Sequence, residues 1–274
     1  MKPGDLTTLK HVKEWLRVTD GVTDDLYSRM IQATSAYIQS WLNRKLALQT
    51  YHEFRDGIGM GAGRNVMSFG EAPAYSVALL KINGVVIPAS PDGGIQQPGY
   101  GFDTDQIWLA DTSLAGTRFG TISASFPRGR RNVELIYDAG YVTVDEAQTI
   151  PADPYAVQTN FLWVKNVKVT WPDGTLLTKV SLGPLTGQYM VDSEGTYTFS
   201  VADTGKDVLI TYGYIPPEIE QACIQLIGLR VKEMDRIGIT SKAVGGETIS
   251  YTQKDMPTDV QTLLNQYRKV VIVL

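Results

Sequence analysis

The two ends of this chain carry helical patterning, and the intervening stretch of about 165 residues does not. From Leu6 to Leu46, and again from Pro216 to Leu274, apolar residues recur at helical spacing, whereas the middle alternates in the manner of short strands. Apolar stripes that broad are not left in water, so each end requires the other. The expected fold class is α+β: a helical bundle formed by the N- and C-terminal segments, with inserted antiparallel β-sheet or sandwich units and an extended C-terminal arm. The expected segments are 1–47 (N-terminal helical part), 48–150 (first β unit), 151–214 (second β unit) and 215–274 (C-terminal helical part plus arm).

Leu9, Val12 and Leu16, with Trp15 beside them and Thr7 or Thr8 as a cap, predict a short helix over 8–18. Thr23 is placed to cap a second helix whose first turn holds Asp24 and Asp25, where the helix dipole favours carboxylates. Its predicted apolar stripe is Leu26, Met30, Ala33, Tyr37 and Trp41, widened by Ile31, Ile38 and Leu42. At the far end Pro216-Pro217 opens a helix with Glu218 and Glu220 in its first turn and a predicted buried face of Ile219, Ala222, Cys223, Leu226, Ile227 and Met234, ending at Gly238. Gly245-Gly246 reads as a hinge or turn, Glu247 to Tyr251 as a short extended segment, and Pro257 as the start of a last helix carrying Val260, Leu263, Leu264 and Tyr267. The run Val270-Val271-Ile272-Val273-Leu274 is wholly apolar with high β propensity, and needs a partner. Two partners stand open: a sheet of this chain, or another chain by strand addition.

Turn signals at Asn83-Gly84, Asp92-Gly93-Gly94, Asp173-Gly174 and Thr204-Gly205 mark the middle as antiparallel sheet. Two stretches there rhyme. Gly99–Asp103 leads to Arg131–Tyr137, Gly187–Asp192 leads to Lys206–Tyr212, and each ends in a tyrosine-rich exit, which suggests a duplicated β unit.

Composition narrows function. A net charge of −4 and a pI near 5.3 argue against gripping nucleic acid through phosphates, which needs clustered cations. The single cysteine, Cys223, excludes an intrachain disulfide and a cysteine-rich zinc site. Met1–Asp5 lacks the apolar core of a signal peptide, and no run approaches the roughly 18 apolar residues of a membrane span, so no membrane partner is expected.

At its ends the chain resembles the head–tail connector proteins of tailed phages, also called head-completion or adaptor proteins. The resemblance rests on Leu6-Thr7-Thr8-Leu9, Lys13, Trp15-Leu16-Arg17, the Asp24-Asp25-Leu26 turn and the Ala33–Leu46 helix. It continues in Tyr212-Gly213-Tyr214 with Pro217 and Glu220-Gln221-Ala222, and in Pro257, Val260, Leu263-Leu264 and Tyr267-Arg268. It covers about the first 46 and last 60 residues. It implies a virion structural protein: a homo-oligomeric ring, usually twelve-fold, that docks under the portal and continues the DNA channel to the tail. Implied partners are other copies of the chain, the portal protein and a tail-completion or tail-tube terminator protein. Packaged DNA would pass through without sequence-specific binding, and the particle would assemble in the host cytoplasm. The implied portal-binding arm is Tyr267, Arg268, Val270, Val271, Ile272, Val273 and Leu274. The segment Pro154–Tyr214 departs from the family pattern and reads as an elaboration facing the tail or neighbouring subunits.

Arg128, Arg130 and Arg131 form the densest basic cluster, either a solvated turn or a contact with a neighbouring subunit or DNA. No enzyme, cofactor or metal is expected. Gly57 to Gly63 lacks the Gly-Lys-Ser/Thr ending of a phosphate loop. His11 and His52 have no ligand or triad pattern around them, and Asp103, Asp105 and Asp111 do not make a calcium loop. Trp108, Trp163 and Trp171 suit core packing. As a sugar platform they would make the chain a carbohydrate- or receptor-binding β module, the rival function.

Overall fold

A computed structural model describes residues 2, 4–59, 65–95, 97–110, 125–234, 241–244, 247–250 and 256–269. The chain divides into two compact units: Ala47–Val142, and Met1–Leu46 together with Thr143–Leu274. The expected helical bundle is overturned. Among the described residues the architecture is mostly β-sheet, with sixteen strands and only four helices, α1 (Leu9–Leu16), α2 (Asp24–Leu42), α3 (Pro217–Glu233) and α4 (Thr258–Asn265). The reason is length. α1 and α4 have eight residues each, about two turns, too few to sustain a bundle seam.

The unit formed by Ala47–Val142 contains a four-stranded sheet in the order β1 (Gln49–Gly57), β7 (Gly129–Ala139), β3 (Ala74–Ile82), β4 (Val85–Ile87). A second sheet orders β2 (Val66–Ser68), β6 (Gln106–Leu109) and β5 (Tyr100–Phe102). Alternation along β7 sends Val133, Leu135, Tyr137 and Ala139 into one core with Met67, Phe69, Ile107, Leu109 and Phe126. Asn83 and Gly84 both take positive φ, 51° and 81°, the turn that closes a two-residue hairpin between β3 and β4.

The other unit holds β8 (Val142–Thr149), which starts at the boundary, β10 (Leu162–Thr170) and β14 (Asp207–Ile215) in the order β10, β14, β8. Beside it runs a sheet ordered β11 (Thr178–Lys179), β12 (Gln188–Val191), β13 (Thr196–Phe199), β9 (Ala156–Gln158), in which β11 and β12 are parallel. Val169, Tyr189, Tyr197, Phe199, Val208, Ile210 and Tyr212 fill its core. The tyrosine exits are matched in their surroundings. Tyr137 on β7 donates to Glu53 Oε1 at 2.7 Å and accepts from Glu71 N at 2.8 Å. Tyr212 on β14 donates to Glu146 Oε2 at 2.6 Å and accepts from Phe161 N at 3.2 Å. The likeness stops there: β5 edges a three-stranded sheet, whereas β12 lies inside a four-stranded one.

The helices of this unit pack on α3. Thr8 caps α1 by accepting from His11 N, as expected, but Thr23 makes no side-chain cap bond to α2. The buried face of α2 is Tyr27, Ile31, Thr34, Ser35, Ile38 and Leu42, rotated from the predicted stripe, and Ala33 is exposed. Small polar residues explain the rotation. Ser35 Oγ accepts from Leu6 N at 3.0 Å and meets the buried Cys223 Sγ at 3.8 Å, and Thr34 Oγ1 accepts from Arg230 Nη1 at 2.7 Å, so α2 and α3 approach through hydroxyls. On α3 the predicted core residue Met234 is 43% exposed, just beyond the helix end. A Cβ on the buried Gly228 would meet Trp15 Nε1 at 3.2 Å, so this glycine lets α1 lie close against α3. Between α3 and α4, β15 (Ser241–Val244) and β16 (Glu247–Ser250) pair antiparallel, so the expected extended segment is half of a hairpin. The predicted Gly238 stop and Gly245-Gly246 hinge lie outside the described residues.

Candidate functional site

The end of the described chain is fastened to the helices. Val260 and Leu264 bury the inner face of α4, and the chain turns at Gln266 and Tyr267. Tyr267 Oη donates to Glu218 Oε2 at 2.9 Å, and its carbonyl accepts from Arg44 Nη1 at 3.4 Å. The Arg268 guanidinium lies 5.0 Å from the centre of the Trp41 ring, a cation–π contact. Lys269 N then donates to Leu42 O at 3.0 Å, satisfying one of the orphan carbonyls at the end of α2. Two members of the expected arm, Tyr267 and Arg268, are thus anchored within this unit. The other five, Val270, Val271, Ile272, Val273 and Leu274, lie outside the described residues.

Around the start of α1, His11 Nδ1 lies 2.6 Å from Glu220 Oε1, which also accepts from Thr7 Oγ1 at 3.1 Å. The hydrogen bond to Glu220 raises the His11 pKa above its ordinary value, against the opposing effect of burial. Here the histidine clips the N-terminal segment to α3. His52 instead sits 2.9 Å from Glu134 Oε1 across β1 and β7. An open cleft of about 760 Å³ lies along α1, lined by Leu9, Lys10, Lys13, Arg17 and, from the β12–β13 turn, Glu194. Its charges are mixed, and Lys13 is paired with Asp24 at 2.7 Å.

The arginine cluster is only partly available. Arg128 and Arg130 are exposed, but Arg131 has a backbone φ of 50°, its N–H donates to Asp56 Oδ1 at 2.6 Å, and its guanidinium lies 5.1 Å from the Phe54 ring centre. The three tryptophans are half-buried and engaged: Trp108 Nε1 donates to Gly94 O, Trp163 Nε1 donates to Tyr197 Oη, and Lys206 lies over Trp171. Asp103 Oδ1 accepts from the backbone N–H groups of Asp105 and Gln106, each at 2.9 Å, while Asp111 lies outside the described residues. Among the described residues there is no cluster of three or more metal-ligating side chains.

Sequence reasoning passed over two features. The Lys269–Leu42 bond joins residues far apart in the chain and leaves no local pattern. The exposed Leu182 and Leu185 do leave a signal, since residues 180–188 carry no charged side chain.

With this geometry in place, residues 140–270 match a family model described as Head completion protein. All but the first three matched residues belong to the unit completed by Met1–Leu46. The part of the resemblance read from Tyr212 to Arg268 therefore falls inside a matched span, and the part read from Leu6 to Leu46 lies outside it. The match also reaches further than expected, because Pro154–Tyr214 lies inside the matched span and not outside the family pattern. A solved structure described as the neck of an empty GTA particle, computed with C6 symmetry, is 14% identical with a TM-score of 0.34, over 99% of this chain and 93% of that one. That likeness is too slight to establish a shared fold. No curated protein matches the sequence.

Proposed function

We propose that this chain is a virion structural protein of the head–tail junction, a connector or adaptor and not an enzyme. Copies form a ring, twelve-fold by the family resemblance, that docks under the portal and continues the DNA channel toward a tail-completion or tail-tube terminator protein. The observation that carries this is the family match over 140–270 ending on an arm whose root is fastened by Tyr267, Arg268 and Lys269. A fixed root followed by the uncharged run 270–274 suits strand addition, because ordering the root in advance lowers the entropy lost on binding. The acidic balance of the chain suits a wall that DNA slides past without being held.

The test is co-sedimentation with cognate portal-bearing capsids, comparing the full chain with one ending at Lys269. Binding by the full chain and its loss on truncation are expected. Equal binding by both would remove the arm from the mechanism, and no binding by either would sink the connector function.

A further inference from the structure

The unit Ala47–Val142 keeps its unmatched charges at opposite ends. β7 sets the distance between them: its 11 residues rise about 3.3 Å each, so Gly129 and Ala139 lie roughly 30 Å apart. β1 pairs along it from Gly57 opposite Gly129 to Gln49 opposite Ala139, and Ala74 at the start of β3 also faces Ala139. Side chains held near Gly129 are therefore far from those held near Ala74.

Arg128, Arg130 and Arg131 stand at the Gly129 end, on a closely fitted crossing. Gly57 N donates to Asn132 Oδ1, Asn132 Nδ2 donates to Pro127 O, and Gly59 N donates to Phe126 O, each at 2.8 Å. A Cβ on Gly57 would collide with Pro127 O, so the chain closes here without room for a side chain. Arg131 lies over Phe54, and the exposed Asp56 accepts from its N–H. Arg128 and Arg130 are exposed, and among the described residues neither meets a carboxylate at ion-pair distance.

The Ala74 end carries the opposite sign. Ala74 N donates to Thr104 O at 2.7 Å and Phe69 N donates to Asp105 O at 2.9 Å, which places the turn between β5 and β6 there. Asp103 and Asp105 on that turn are exposed, and among the described residues neither meets a cation at ion-pair distance. Asp138, bonded to the hydroxyls of Thr50 and Ser76, adds a third carboxylate near the same end. Elsewhere in the unit charges are matched or turned inward. Glu53 pairs with Arg55 at 3.0 Å and Glu134 with Lys81 at 3.1 Å, while Asp92 accepts from Gly94 N and Ile95 N of its own loop.

We propose that the Arg128 and Arg130 end of one copy docks on the Asp103 and Asp105 turn of the next. Charge complementarity names the partner: the surface that answers the arginines is on the same chain, and guanidinium forks match carboxylates bidentately. Two exposed guanidiniums fall short of the roughly 6–10 phosphate contacts of a protein that grips duplex DNA. Two different patches on one chain make a heterologous contact, the kind that closes into a ring when the rotation permits. This deepens the ring assembly proposed above and rests on it. Solvent-exposed charge pairs set partner and register more than affinity, so the contact is weak between free copies and is read in assembled particles.

The test swaps charges in the full chain and measures how much of it enters assembled particles. Arg130→Glu and Asp105→Lys should each lower incorporation about tenfold by setting like charges face to face, and the chain carrying both should recover to within about twofold of wild type. Single variants that enter like wild type overturn the contact and leave the head–tail role standing. Loss without recovery in the pair also overturns it, and assigns the arginines to DNA phosphates instead. A wild-type chain that never enters particles overturns the head–tail role, and the contact with it. Both positions are exposed, so neither substitution disturbs a core. A second measurement needs no charge reversal. In particles carrying Arg130→Lys, a carbodiimide should join the new amine to Asp103 or Asp105, giving an adduct of twice the 30.2 kDa chain mass. The two ends are too far apart within one copy for such a bond, so an adduct mapped to these residues joins neighbouring copies. An adduct elsewhere, or none, overturns the proposal.

Discussion

Tyr197→Phe should be the most informative single-atom deletion in the molecule. Tyr197 is fully buried, and its Oη accepts from Trp163 Nε1 at 3.1 Å while donating to Asn166 Oδ1 at 2.9 Å. Asn166 Nδ2 in turn donates to Tyr189 Oη at 2.9 Å, so the hydroxyl is the middle of a relay joining β10, β12 and β13. Removing it strands a donor and an acceptor together. Each buried orphan costs about 1–3 kcal/mol, and because Trp163 and Asn166 are half-buried the lower part of that range applies, giving about 2–3 kcal/mol in total. Tyr189→Phe strands only the Asn166 amide and should cost about 1 kcal/mol. Urea unfolding followed by circular dichroism measures both. The two units can melt separately, so the shift must fall in the transition of the unit that contains β12, with the Ala47–Val142 transition unmoved. Equal losses for the two variants, or a loss under about 0.5 kcal/mol for Tyr197→Phe, would refute the relay as a source of stability.

Three further outcomes are expected. Gly228→Ala should be near neutral, since a helix-propensity gain of about 1 kcal/mol offsets the displacement of the half-exposed Trp15, whereas Gly228→Leu must push α1 away and cost about 1–3 kcal/mol by thermal melting. Gly195→Ala should cost about 2–4 kcal/mol in chemical denaturation, because its φ of 83° disfavours a side chain and the new Cβ would strike the Trp163 side chain. His11→Gln should show a pH signature. The pKa is raised in the folded state, so the contribution of His11 is complete below its ordinary value of 6.5 and is lost as pH rises through the raised folded value; the stability gap between wild type and variant should be wider at pH 5.5 than at pH 8.5, and a gap that widens with pH would refute the ion pair with Glu220.

What the sequence made legible was local. The Thr8 cap, the Asn83-Gly84 hairpin and the proline start of α3 are set by neighbouring residues and appear where their chemistry places them. The buried face of α2 was misplaced because Thr34 and Ser35 look like surface residues until α3 supplies Cys223 and Arg230 as their partners. The balance of helix and strand was misjudged because many strands have only two to four residues and gain their stability from pairing, which no window of sequence displays. For the candidate arm, Tyr267 and Arg268 were legible as residues of interest. Their anchoring to Glu218 and Trp41 was not, because it depends on contacts between residues 49 and 227 positions apart.

The bond between Lys269 and Leu42 also sets an order of events during synthesis. Ala47–Val142 is continuous in sequence and can fold as soon as it leaves the ribosome. The α2 face of Ile31, Ile38 and Leu42 must wait for α3, a delay of roughly 10–40 s at ordinary elongation rates. During that interval it is a target for chaperones. The anchor formed by Tyr267 and Lys269 exists only once the last helix has been made and docked. Under the function proposed above, an assembly step that begins from this anchor would admit only copies whose last helix is in place.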